Sequence, residues 1–213
     1  MKLRIITRTR AFTLIEMLTV MAVIAILASL VVSVNAYAHK KAALLRAEGE
    51  IKTMSAACEN YKGDFGAYPR DKEGGDSDLL NPRSEGDPTA SKYRKACLVL
   101  YKALSGDTEA NGKGKEKPYF EFRPDQLHKL ASGDIDYIKD PFGNSYGYST
   151  AAAAAEEKYR EELKKDPAAA RPKGANLKGF SPTFDLWSTG GVITKATDAA
   201  TLNSENKRWV KNW

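Results

Sequence analysis

A chain of 213 residues with 33 Lys and Arg against 27 Asp and Glu, a formal charge of +6, has room for one domain with a real core and one further element. Its cations form no stripe interleaved with aromatics, which leaves no ground for a nucleic-acid partner. The charge is also unevenly placed: taking away the four cations Lys2, Arg4, Arg8 and Arg10 leaves 29 Lys and Arg against 27 acids, a net of +2.

Those four cations form a short leader ending Arg8, Thr9, Arg10, and Ala11 to Val34 then reads A-F-T-L-I-E-M-L-T-V-M-A-V-I-A-I-L-A-S-L-V-V-S-V. As a helix, Phe12 to Val34 is about 35 Å long, enough to cross a hydrocarbon layer of about 30 Å. Glu16 interrupts the apolar run. An isolated carboxylate in a spanning helix costs roughly 2.5–3.5 kcal/mol, so it usually has a partner. One reading has Glu16 snorkelling to the headgroups. Another begins with a cut between Ala11 and Phe12: Phe12 gains a free amine, and Glu16 of one copy neutralises the amine of a neighbouring copy in a packed bundle, which requires polymerisation. Two further readings are a secretory signal peptide cut at Ala36, Tyr37, Ala38, for which the apolar region exceeds the usual 7–15 residues or so, and an uncleaved signal anchor. In all of them the leader outweighs Lys40 and Lys41, so it stays cytoplasmic and the rest is exported.

A-F-T-L-I-E behind a short basic leader, running into an unbroken apolar helix, resembles the processing site of type IV pilins and type II secretion pseudopilins. The resemblance implies that a prepilin peptidase removes residues 1–11 after Ala11, which stands where glycine is usual, that Phe12 is N-methylated, and that Glu16 serves assembly. It implies an α+β, pilin-like fold: a long N-terminal helix, with a transmembrane half over 12–34 and an amphipathic periplasmic half over 35–62, packed on a small antiparallel β-sheet in a head over 63–213.

The amphipathic half is also read from the residues. Leu44, Ala47, Ile51, Met54, Cys58 and Tyr61 recur at spacings of three and four, with Lys40, Lys41, Arg46, Glu50, Lys52 and Glu59 mostly elsewhere, and only Gly49 weakens the run. The combined helix to about Tyr61 would be roughly 75 Å long. Gly63, Gly66 and Pro69 in Y-K-G-D-F-G-A-Y-P-R end it, with Tyr68 expected as a plug under the head. This segment, with Asp64, Gly66, Tyr68 and Pro69, is similar to the one that closes the long helix in major pseudopilins.

Residues 71–90 are polar and rich in Gly and Pro, a surface loop insertion whose Asp71, Asp76 and Asp78 are read as solvated, their spacing matching no calcium loop. Tyr93, Ala96, Cys97, Leu100 and Leu104 give a short amphipathic helix. Cys58 and Cys97 each fall on an apolar stripe: an exported domain permits a disulfide, and buried free thiols are equally common.

Tyr119 to Phe122 alternates as a strand would, and Asp140 to Asn144 makes a tight turn before a strand carrying Tyr146 and Tyr148. Ala151 to Lys165 is a strong helix former with little apolar face, an exposed insertion reaching to about 178. P-T-F-D-L-W-S-T-G-G is a further strand and turn, and the chain finishes on W-V-K-N-W. D-P-F-G-N, D-L-W-S and the terminal Asn-Trp are similar to signatures of the major pseudopilins. In many of those relatives the last loop binds calcium. Here Val192 and Trp209 stand where aspartates are expected, leaving Ser188 and Asp198 as weak candidate ligands against the six to eight oxygens calcium needs. The expectation is no metal, with Trp187, Trp209 and Trp213 pinning the loop by packing.

No catalytic constellation is visible: His39 and His128 stand apart, without a nucleophile, phosphate loop or metal-ligand spacing. The resemblance implies a structural subunit rather than an enzyme, a homopolymer in the periplasm anchored in the bacterial inner membrane. Its implied partners are its own copies, the prepilin peptidase, the inner-membrane secretion assembly platform and minor pseudopilins, and no cofactor. The alternatives are a type IV pilus subunit for adhesion, motility or DNA uptake, which shares the first fifty residues, and a signal-anchored exported binding module or enzyme.

Overall fold

With no proline and only Gly49 and Gly63 in its interior, the chain from Leu14 to Phe65 folds as one helix, α1. The computed structural model describes residues 13–171, 173, 177–195 and 199–213. The chain divides into two units, Met1–Ala42 and Ala43–Trp213. In the first, the described residues are Thr13 and the α1 segment from Leu14 to Ala42; the second holds the rest of α1 and all the other elements.

Helix α1 runs past the expected end near Tyr61 to Phe65. Gly63 does not stop it, because glycine inside a helix costs only about 1 kcal/mol. Gly66 does: at φ 75° it leaves the helical region, and its amide donates to the Lys62 carbonyl at 2.7 Å. The extra turn is held from outside. Tyr61 stacks on Phe65 at 4.4 Å and meets Tyr119 edge-on at 5.3 Å, while Asp64 accepts from the Tyr119 hydroxyl at 2.6 Å and pairs with Lys117 at 2.8 Å. Tyr68 takes the place expected of it, its ring 4.9 Å from Phe184 and its hydroxyl donating to Glu59 at 3.0 Å.

The stretch 71–90 departs from the expected solvated loop. It carries a one-turn helix, α2 (Asp76–Leu79), and buries Ser77, Asp78 and Leu80. Asp78 has its countercharge in Arg70 at 2.6 Å and accepts at 2.6 Å from the hydroxyl of Thr150, a partner far enough along the chain to be invisible in local composition. Helix α3 (Ser91–Ser105) buries the five predicted residues and Tyr101, and ends at Gly106, again left-handed at φ 69°.

Two small antiparallel sheets complete an α+β head. One pairs β1 (Leu127–Lys129) with β2 (Ile135–Ile138); the other has order β3 (Gly147–Ser149), β4 (Asp185–Ser188), β5 (Val210–Lys211). The predicted strand at Tyr119 to Phe122 does not form. The amides of Tyr119 and Phe120 both donate to the Leu104 carbonyl at the end of α3, at 2.8 and 3.0 Å, so neither is free for a ladder there. The alternation belongs instead to anchoring rings: Phe122 packs on Phe120 at 4.7 Å and on Tyr101 at 5.4 Å.

The Asp140 to Asn144 turn forms as predicted, with Gly143 donating to the Asp140 carbonyl at 2.9 Å and the Asp140 carboxylate accepting from Phe142 and Asn144 at 3.0 and 2.8 Å. It is less a hairpin than a hinge between sheets, since β2 pairs with β1 and β3 with β4; a single bridge, Lys139 to Ser145, closes the turn itself. Helix α4 (Ala151–Lys165) has the predicted bounds and lies between β3 and β4 in the chain.

One core cluster joins Ile51, Met54 and Cys58 of α1 to Cys97, Leu100 and Leu104 of α3 and to Ile138, Tyr146, Tyr148 and Leu186 around the sheets. A second gathers Leu80, Tyr93, Ala96, Trp187 and Trp209. The disulfide weighed from the sequence is not made: Cys58 and Cys97 are free and buried. The Cys97 sulfur instead accepts the Ile138 amide at 3.3 Å, and burial pushes its thiol up to about 12; burial raises the Cys58 thiol as well.

Candidate assembly site at the amino-terminal helix

The first turn of α1 is a capping box. The Thr13 amide and hydroxyl both donate to Glu16 Oε2, at 2.8 and 2.6 Å, and the Glu16 amide donates back to Thr13 Oγ1 at 3.3 Å. Glu16 therefore has a partner inside its own chain, and that partner is uncharged. The signal was present: Thr13 and Glu16 in T-L-I-E have the Thr-x-x-Glu spacing that marks a helix start. Ala11 and Phe12, the expected processing pair, lie outside the described residues.

Beyond the cap the helix shows apolar side chains on every face. Leu14, Ile15, Leu18, Met21 and Ile26 are 58–82% exposed, and Met17, Val20, Val23, Ile24 and Leu27 are exposed too. Its hydroxyls are turned inward: Thr19 Oγ1 donates to the Ile15 carbonyl at 3.1 Å and Ser29 Oγ to the Ile26 carbonyl at 2.7 Å. Such a surface is satisfied only by other apolar groups. Among the described residues no helix is long and apolar enough to cross a membrane. The described side chains of this run, Thr13 to Ser29, cover about 25 Å, and the side chain of Val34, the far end of the expected span, lies outside the described set.

In the head, a polar junction ties α1 to the turn and the second sheet. Glu50, placed on the solvent side by its position in the helix pattern, is in fact buried: it pairs with Arg46 and Arg123, each at 2.8 Å, and accepts from the Tyr146 hydroxyl at 2.7 Å. Nearby, Asp140 accepts from the Ser188 hydroxyl at 2.6 Å. Burial raises the Asp140 carboxyl above its ordinary value, the hydrogen bonds it accepts pull the other way, and the charge of Glu50 adds to the rise.

Ser188, a candidate ligand, is thus already committed to Asp140, and Asp198 lies outside the described residues. The loop after β4 is framed by rings: Trp187 and Trp209 stack at 5.9 Å with planes 8° apart, and Trp213 meets Trp187 edge-on at 5.8 Å. Thr189 Oγ1 and Trp209 Nε1 are buried without a hydrogen-bond partner, one able to accept and one only to donate. Among the described residues no three His, Cys, Asp or Glu come together. Of the histidines, His39 is exposed on α1 and His128 stacks on Tyr137 at 4.5 Å.

The prokaryotic N-terminal methylation motif matches residues 6–32. The chain is 36% identical over 84 residues to the type II secretion system core protein G of Pseudomonas aeruginosa, a match covering 39% of this chain. It spans 58% of the length of that relative. No solved structure matches.

Proposed function

We propose, on the premise that this chain is a type IV pilin-like protein similar to the major pseudopilins of type II secretion, that it is a structural subunit of a periplasmic pseudopilus. In this reading a prepilin peptidase cuts between Ala11 and Phe12 and methylates Phe12. The apolar part of α1 holds the precursor in the inner membrane with the head in the periplasm. Copies then polymerise through α1, with the secretion assembly platform and minor pseudopilins as partners, to drive protein export.

The observation that carries this is the environment of Glu16. It is an exposed carboxylate on the first turn of a helix that is otherwise exposed apolar surface. The Thr13 cap holds it toward the chain end, where it already accepts the Thr13 amide. The amine freed at Phe12 would stand one residue ahead of that amide. A carboxylate so placed is ready to accept the amine of a neighbouring copy, and the pairing offsets the cost of keeping either charge in an apolar bundle.

The support for calcium is weaker than for assembly. The reading that fits Trp187, Trp209 and Trp213 is that the last loop is held by ring packing without a metal.

Mass spectrometry of the purified protein should find a chain beginning at methylated Phe12, and an intact Met1 or a start near His39 would overturn the proposal. Glu16→Leu should leave membrane insertion intact and abolish cross-linkable polymer. Since that change also removes the cap, Thr13→Val separates the two roles: it loses the hydroxyl and keeps the carboxylate, and should still assemble. Normal polymer from Glu16→Leu would remove the charge-pairing role.

A further inference from the structure

Helix α4 and residues 177–182 line a cavity of about 420 Å³. Four cations border it, Arg83, Arg160, Arg171 and Lys178, against one bordering carboxylate, Glu156. Glu156 is already shared, with Arg171 at 3.0 Å and Arg160 at 3.4 Å on the same oxygen. Behind the wall, Asp185 is buried with its oxygens taken by the amides of Phe180 and Ser181 at 2.8 and 2.7 Å. With both acids counted, the cavity keeps an excess of positive charge.

Arg83 is the best prepared of the four. Its Nε donates to the Gly179 carbonyl, its guanidinium carbon lies 4.1 Å from the centre of the Phe180 ring, and Phe180 is itself stacked on Trp213 at 4.9 Å. Its two terminal nitrogens have no hydrogen-bond partner among the described residues. A guanidinium fork fixed in this way matches a carboxylate bidentately, and little rotamer entropy remains to be lost on binding. Tyr159 and Phe180 supply apolar surface beside it, Tyr159 carrying Arg171 over its ring at 5.3 Å. The volume falls among pockets that enclose organic ligands and exceeds what a bare inorganic anion needs.

We propose that this pocket receives an acidic residue from an extended segment of a partner protein, its carboxylate on Arg83 and its neighbouring side chain against Tyr159 and Phe180. The insertion carrying α4 then has a use of its own, as one wall of a docking site for acidic peptide. The inference does not depend on polymerisation.

The test uses the full chain in non-ionic detergent at low salt, titrated by calorimetry with blocked hexaglutamate, with blocked hexaglutamine and with inorganic phosphate. Hexaglutamate should bind saturably, one per chain, and hexaglutamine should not. Arg83→Gln should weaken binding about tenfold, the loss expected for one charged hydrogen-bond pair. Lys178→Gln, a change at an exposed side chain, guards against a folding defect at Arg83 and should weaken binding in the same direction. Failure of hexaglutamate to bind, equal binding by hexaglutamine or phosphate, or undiminished affinity in both variants would overturn the proposal. Because the readout is taken from dispersed subunits, a negative result leaves the assembly reading untouched, and a failure of assembly leaves this one untouched.

Discussion

Gly147 faces Trp187 across the β3 and β4 pair, and a Cβ placed there would lie 2.1 Å from the indole ring. The ring cannot yield easily: it is fully buried, stacked on Trp209, and its Nε1 donates to the Tyr93 hydroxyl at 3.3 Å. Gly147→Ala should therefore cost about 1–3 kcal/mol, the range for overpacked cores, read as a lower urea midpoint; an unchanged midpoint would show that the ring has room to move. The same rings decide the loop that ends the chain. If packing rather than a metal holds it, chelation with EGTA should leave the thermal midpoint where it was, while Trp209→Ala should lower stability by about 3–5 kcal/mol. A midpoint that falls on chelation would return calcium to the loop.

The last turn of α1 separates two glycines that look alike in the sequence. Gly63 is interior to the helix with open space around its missing Cβ, and Gly66 stands just past the end at φ 75°. Gly63→Ala should stabilise by up to about 1 kcal/mol, and Gly66→Ala should destabilise by about 1–2 kcal/mol, the cost of a left-handed non-glycine residue. Changes of the same sign in denaturant unfolding would mean that the helix does not end where Gly66 puts it. This contrast also shows what was legible beforehand. An apolar run and then periodicity gave α1, periodicity gave α3, helix propensity gave α4, and turn chemistry gave Asp140 to Asn144, because each depends on neighbours within a few residues. The strand at Tyr119 to Phe122 was misread, since alternation cannot reveal that Leu104 takes its amides. β1 and β2 were missed for the opposite reason: three or four residues, with His128, Lys129 and Asp136 among them, carry no strand pattern. The buried acids Glu50 and Asp78 were hidden because Arg123 and Thr150, which settle them, lie 73 and 72 residues away. At the amino terminus the processing site is legible through its resemblance to pilins and pseudopilins, while the cap between Thr13 and Glu16 is written in the same letters as a local Thr-x-x-Glu start signal.

Among the described residues, every buried apolar side chain belongs to the head, from Ala47 onward, and the exposed apolar run of α1 lies before it, from Leu14 to Leu27. The buried apolar residues of the head and the exposed apolar residues of α1 are therefore different sets. A truncated chain beginning at Ala43 keeps Ile51, Met54 and Cys58, the helix residues of the core, and also Leu44, whose side chain approaches Gly190. It should be soluble without detergent, monomeric by sedimentation, and unfold cooperatively at the same temperature as the head of the full chain in detergent. Aggregation or a lower midpoint would mean that residues before Ala43 contribute to the core after all. The same separation fixes what assembly variants must do. A change at Glu16 or Thr13 that lowers the head's midpoint would contradict the division, whereas a loss of polymer with an unmoved midpoint is what two independent sets of residues require.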